Sequence, residues 1–122
     1  MNIQWEAREQ EAIFQWIDYS GIPELQLLYH IPNGGYRRAF EAVRLKAQGV
    51  KSGVPDLCLP VARGGHHGLY IELKADKTKK PTENQKKWIV SLTEQGYKAI
   101  VCHGWEEAVE QLKEYMKGAK DD

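Results

Sequence analysis

The sequence predicts one α/β domain in which a mixed central sheet is flanked by helices. Three observations carry this expectation. The chain has 122 residues, 42% of them hydrophobic and 28% charged, which suits a single core with a solvated exterior. Short apolar runs at 57–61, 69–75 and 97–102 have strand length and are bounded by Gly, Pro and Asp. Between and around them lie longer segments whose apolar residues recur at helical spacing.

Taken in order, Ile13, Trp16 and Ile17, with Ala12 nearby, mark one side of a helix over about 6–19, stopped by Gly21 and Pro23. At about 100° per residue, Glu6, Glu9 and Gln10 fall near that side, whereas Glu11 points almost opposite. The Leu- and Tyr-rich run Leu25 to Ile31 reads as a strand, and Pro32-Asn33-Gly34-Gly35 as a turn. A short helix follows over 37–48, with Ala39, Phe40, Val43, Leu45 and Ala47 favouring packing and a basic margin of Arg37, Arg38, Arg44 and Lys46. Strands Leu57–Val61 and Leu69–Ala75 form a hairpin through the turn at 63–68. A helix over 82–92 turns Trp88, Ile89 and Leu92 toward the core. A strand at 97–102 and a final helix at 105–116, with Ala108, Val109, Leu112 and Met116 inside, complete the domain. It spans residues 1–122, with 118–122 expected as a frayed tail.

Composition narrows the function classes. Seventeen Lys plus Arg balance seventeen Asp plus Glu, so any nucleic-acid affinity must come from a local basic face rather than overall charge. Cys58 and Cys102 lie in apolar runs and read as buried thiols, with no CxxC spacing to suggest zinc. Apolar runs fall far short of the roughly 20 residues of a membrane helix, and the acidic, Gln-rich start is unlike a signal peptide. The expectation is a cytoplasmic protein without a membrane partner. A Walker loop, and with it an ATPase reading, is absent.

The chemistry concentrates at Asp56, Glu72 and Lys74. Period-two geometry puts Glu72 and Lys74 on one side of their strand, with Leu73 on the other. Asp56 opens the neighbouring strand, so two acids and an amine can converge. An alternating ExK edge strand with a solvated charged face is the plainer alternative, but Ile71, Leu73 and Ala75 fill the intervening positions. Carboxylates of Asp56 and Glu72, with the backbone carbonyl of Leu73, form an oxygen set for a hard divalent cation, Mg2+, for which Mn2+ can substitute. Lys74, protonated, stabilises charge near a phosphate or orients water. The reaction expected of this set is phosphodiester hydrolysis, by water activated at the cation. Glu9, on the first helix, is the choice for completing the metal shell or positioning water. Its plainer reading is a partly buried helix acid.

In the order of its motifs, the sequence resembles the VRR-NUC family of the PD-(D/E)xK nuclease superfamily. The matching segments are the acidic first helix, HIPNGGYR at 30–37, GVKSGVPD at 49–56, IELK at 71–74 and the following helix with Gln85. They cover nearly the whole chain. The resemblance implies a restriction-endonuclease-like fold, Asp56 and Glu72 as metal ligands, Lys74 as the catalytic lysine and Gln85 as an active-site helix residue. It also implies a first-helix glutamate, assigned here to Glu9 with Glu6 on nearly the same face as the alternative. A compact stand-alone member is expected to be a homodimeric, structure-selective endonuclease acting on branched DNA such as a four-way junction, in replication or repair. A less selective or partner-targeted endonuclease, and a non-catalytic DNA-binding scaffold, are the competing readings.

DNA contacts are expected from His30, Asn33, Tyr36, Arg37 and Arg38, and from a lysine track of Lys77, Lys79 and Lys80. For these groups a chain reversal at Asn33-Gly34-Gly35 and a solvated charge run are the plain alternatives. His66 and His67 read as exposed turn residues, and Trp5, Trp16, Trp88 and Trp105 as packing groups.

Overall fold

The structure, a computed structural model, describes residues 3–32 and 39–120. It contains α1 (Ile3–Ser20), a 3₁₀ turn (Pro23–Leu27), β1 (Tyr29–His30), α2 (Ala39–Ala47), β2 (Leu57–Leu59), β3 (Leu69–Lys74), α3 (Glu83–Glu94), β4 (Lys98–His103) and α4 (Trp105–Met116). The four strands form one mixed sheet in the order β1-β2-β3-β4. β1 with β2 and β2 with β3 are antiparallel, whereas β3 and β4 are parallel. A parallel pair needs a crossover, which α3 supplies.

Alternation along β3 sorts the layers. Leu69, Ile71 and Leu73 enter the core with Ile13 and Ile17 of α1 and Ala108 and Leu112 of α4. Glu72 and Lys74 point the other way, where both reach Gln85 of α3. Because both faces of β3 are covered, its charged residues are as inaccessible as its apolar ones: Glu72 is 3% and Lys74 8% exposed. No described helix is long and apolar enough to cross a membrane.

β2 ends at Leu59, before Pro60, rather than at the expected Val61, and three further segments depart from the sequence reading. Leu25 to Ile31 is not one strand: Pro23 starts a 3₁₀ turn that buries Leu25, and only Tyr29 and His30 pair with β2. Proline preorganises the turn, and the high β propensity of the run yields to burial. α2 forms where expected but buries none of its residues, leaving Phe40 57% and Val43 68% exposed. The tail is ordered further than expected: Gly64 N–H donates to Ala119 O at 2.8 Å and Arg63 bridges to Lys120, tying 118–120 to the β2–β3 hairpin. Cys58 and Cys102 are buried, as their apolar settings suggest, and form no disulfide with each other.

Candidate active site

The site lies where β2 leaves β3. Paired residues run from Leu59↔Leu69 to Leu57↔Ile71, after which β2 has ended and Leu73 N–H has no strand partner on that edge. The Asp56 carboxylate replaces it, Oδ2 accepting from Leu73 N–H at 2.7 Å. N–H and C=O of one strand residue point to the same edge, so the Leu73 carbonyl is directed to the Asp56 side as well. The Asp56 backbone carbonyl, in turn, accepts from Ile31 N–H at 2.7 Å and stands 3.0 Å from His30 Nδ1. A carbonyl only accepts, so Nδ1 carries the proton. Backbone and side chain of Asp56 are both fixed by neighbouring strands.

The approach to Asp56 is clamped from the other side by α3. Trp88 Nε1 donates to Ser52 O at 3.1 Å and Asn84 Nδ2 to Ser52 Oγ at 3.2 Å. Gly53 has φ +93°, and a Cβ there would stand 2.7 Å from the Asn84 carbonyl carbon. Only glycine allows the loop this close to α3.

Glu72, Lys74 and Gln85 form a bonded triad. Lys74 Nζ donates to Gln85 Oε1 at 2.9 Å and lies 3.6 Å from Glu72 Oε2, which accepts from Gln85 Nε2 at 3.0 Å. Glu72 Oε1 is buried with no donor. Burial, then the charge of Asp56 beside it, push the Glu72 carboxyl up to about 8, with Lys74 opposing. Two adjoining carboxylates with one oxygen lacking a donor need a proton or a cation between them.

A cleft of about 170 Å³ opens at Asp56 and Leu73, lined also by Glu6, Ala7, Gln10 and His30. Glu6 is therefore the first-helix acid at the cleft. Its carboxyl is raised, first by burial and then by Asp56. Glu9, to which the sequence reading assigned this place, is directed elsewhere: its Oε2 accepts from Trp105 N–H at 3.4 Å, at the start of α4. The exposed N–H groups of a helix start attract a carboxylate, and α4 packs against α1. The two acids are three residues apart, close enough for either to share the Ile13 side, and only the docking of α4 separates their roles.

Among the remaining expected residues, His30 lies in the cleft. Lys77, Lys79 and Lys80 follow β3 in a loop where the Asp76 carboxylate accepts from Thr78 N–H and Oγ1–H, and His103 Nε2 donates to Lys79 O at 3.0 Å. Lys77 and Lys80 are exposed. Asn33, Tyr36, Arg37 and Arg38 lie outside the described residues. Thr82, Asn84, Trp88 and His103 support the site and are not among the residues the sequence marks for it. Thr82 was detectable: Thr82-Glu83-Asn84-Gln85 has the T-x-x-Q spacing of a capping box, which α3 forms.

No group of three His, Cys, Asp or Glu side chains among the described residues converges on one metal point. The donor set nonetheless fits a hard cation that keeps part of its water shell. Mg2+ needs only one or two carboxylates from the protein. The orphaned Oε1 of Glu72, the Asp56 carboxylate and the edge carrying the Leu73 carbonyl provide them.

An antiparallel pair, a parallel neighbour and an acid-acid-lysine set where the first pair splays define a nuclease-type domain. Comparison with known proteins agrees. The VRR-NUC domain model matches residues 2–106, and a solved structure described as a VRR_NUC domain protein is 32% identical with a TM-score of 0.84, the match covering 100% of this chain and 96% of that one. No curated protein matches. The chain belongs to the VRR-NUC family, and its activity is of the nuclease type, directed at DNA.

Proposed function

We propose that the protein is a Mg2+-dependent endonuclease that cuts branched duplex DNA, four-way junctions foremost, as a homodimer. The observation that carries the metal requirement is the buried, donorless Oε1 of Glu72 beside the Asp56 carboxylate. A divalent cation held by Asp56, Glu72 and the Leu73 carbonyl would neutralise their repulsion, polarise the phosphodiester and acidify water. Lys74, held by Gln85 and Glu72, supplies fixed positive charge for the negative charge that develops on the phosphoryl oxygens. Glu6, whose carboxyl is raised by burial and by Asp56, borders the cleft where water would be oriented. His30, which lines the cleft, and the lysines of the loop after β3, of which Lys77 and Lys80 are exposed, would hold flanking phosphates.

The dimer reading is supported by α2, whose Phe40 and Val43 sit one turn apart and uncovered. A second copy would cover them and present two sites to the two-fold symmetry of a junction. Labelled four-way junction, flap, linear duplex and single strand, each with Mg2+, Mn2+ or EDTA, test substrate and metal together. The expected result is metal-dependent, symmetric incision of the junction. Equal cutting of linear duplex points to a less selective endonuclease, and binding without cleavage to a scaffold. Light scattering on wild type and Phe40→Glu tests the assembly: a dimer that becomes a monomer supports α2 as its interface.

A further inference from the structure

Gln85 makes three polar contacts through one amide, and the three leave it a single orientation. Oε1 accepts from Thr82 N–H at 2.8 Å and from Lys74 Nζ at 2.9 Å, and Nε2 donates to Glu72 Oε2 at 3.0 Å. Turning the amide over would set its NH2 against two donors and its carbonyl against a carboxylate. Lys74 and Glu72 are side chains that can move with Gln85. Thr82 N–H is part of the backbone, at the N-cap of α3.

We infer that the backbone N–H of Thr82 is a positioning group for the active site. It fixes the Gln85 amide, which commits Glu72 Oε2 to Gln85 and so reserves Oε1 for the cation. The capping box thereby has two separable halves. Thr82 Oγ1 accepts from Gln85 N–H at 3.2 Å and stabilises the start of the helix. Thr82 N–H, the other half, acts through the Gln85 side chain on the carboxylate. This inference rests on the cation-site reading above.

The backbone angle at Thr82 makes the two halves testable. Its φ is −71°, within the range a proline ring imposes. Thr82→Pro removes both the hydroxyl and the N–H, whereas Thr82→Ala removes the hydroxyl alone. Mn2+ binding is measured by calorimetry without DNA, and the melting temperature in EDTA. Both variants lose the hydroxyl cap, so a merely structural role makes their Mn2+ affinities equal. The expected result is wild-type-like affinity in Thr82→Ala and a loss of about tenfold or more in Thr82→Pro, the usual effect of removing a partner that orients a metal ligand. Equal affinities in the two variants overturn the inference and leave the cation site standing. Absence of Mn2+ binding by wild type overturns the cation site and this inference with it. Should Thr82→Pro not fold, Mn2+ is replaced by diamagnetic Ca2+ in an NMR titration of wild type. The Thr82 amide and the Gln85 side-chain NH2 signals are expected to shift along one binding curve, and unshifted signals in a cation-bound protein overturn the inference.

Discussion

Glu72→Gln should make the metal-free protein more stable in alkaline solution while abolishing cleavage. The wild-type carboxyl is raised from 4.5 to about 8 by burial and by the neighbouring charge of Asp56. At about 1.4 kcal/mol per pH unit, that displacement corresponds to about 5 kcal/mol once the folded group ionises. Below pH 4.5 the group is protonated folded and unfolded alike, and the substitution has little effect. Between pH 4.5 and about 8 the unfolded chain gives up this proton while the folded one keeps it, so wild-type stability falls as pH rises. Above that range the loss is complete. Glutamine carries no charge to desolvate and can still accept from Gln85 through its amide oxygen. Urea unfolding in EDTA at pH 5 and pH 9 measures the gap, which should grow by about 3–5 kcal/mol in favour of Glu72→Gln. Saturating Mg2+ should then stabilise wild type and leave the variant unchanged. A gap that does not depend on pH, or a variant less stable than wild type at pH 9, would show that ionisation of a buried Glu72 does not destabilise the fold.

Other outcomes follow from the same geometry. Asp56→Ala and Lys74→Ala should each suppress cleavage with the fold retained on circular dichroism; in Lys74→Ala, Glu72 keeps its proton to higher pH and so avoids an unpaired buried charge. Glu6→Ala should reduce cleavage with little change in melting temperature, whereas Glu9→Ala should leave cleavage near wild type and cost about 1 kcal/mol in urea unfolding, because it uncaps α4. Gly53→Ala, strained at positive φ and pressed on the Asn84 backbone, should destabilise by about 1–3 kcal/mol and lower cleavage by shifting Asp56.

Features set by local pattern are legible in the sequence. Glu72 and Lys74 share a side because a strand has period two, and α4 matches its expected limits because Gly104 precedes a strongly periodic stretch. β3 begins at the expected Leu69 after its Gly-rich turn, whereas β2 stops at Leu59, before Pro60, and falls short of the expected Val61 because a proline cannot donate to the ladder of a central strand. What local pattern does not contain is docking between distant elements. Glu6 and Glu9 are nearly equivalent on an isolated helix, and they differ because the first turn of α4 takes Glu9. The helical spacing of Phe40 and Val43 describes an amphipathic face and says nothing of whether this chain covers it. Leu25 is buried as expected of an apolar run, but in a turn rather than a strand, since burial alone does not distinguish the two. The clamp of Asn84 and Trp88 on Ser52 joins positions more than thirty residues apart, beyond the reach of any motif.

Metal-dependent cutting at Asp56 is tested most directly by single-turnover cleavage of a labelled four-way junction by wild type and Asp56→Asn, started with Mg2+ or held in EDTA. Wild type with Mg2+ should cut, and the other three combinations should not. Cutting in EDTA, or by Asp56→Asn at the wild-type rate, would contradict metal-dependent cutting at Asp56.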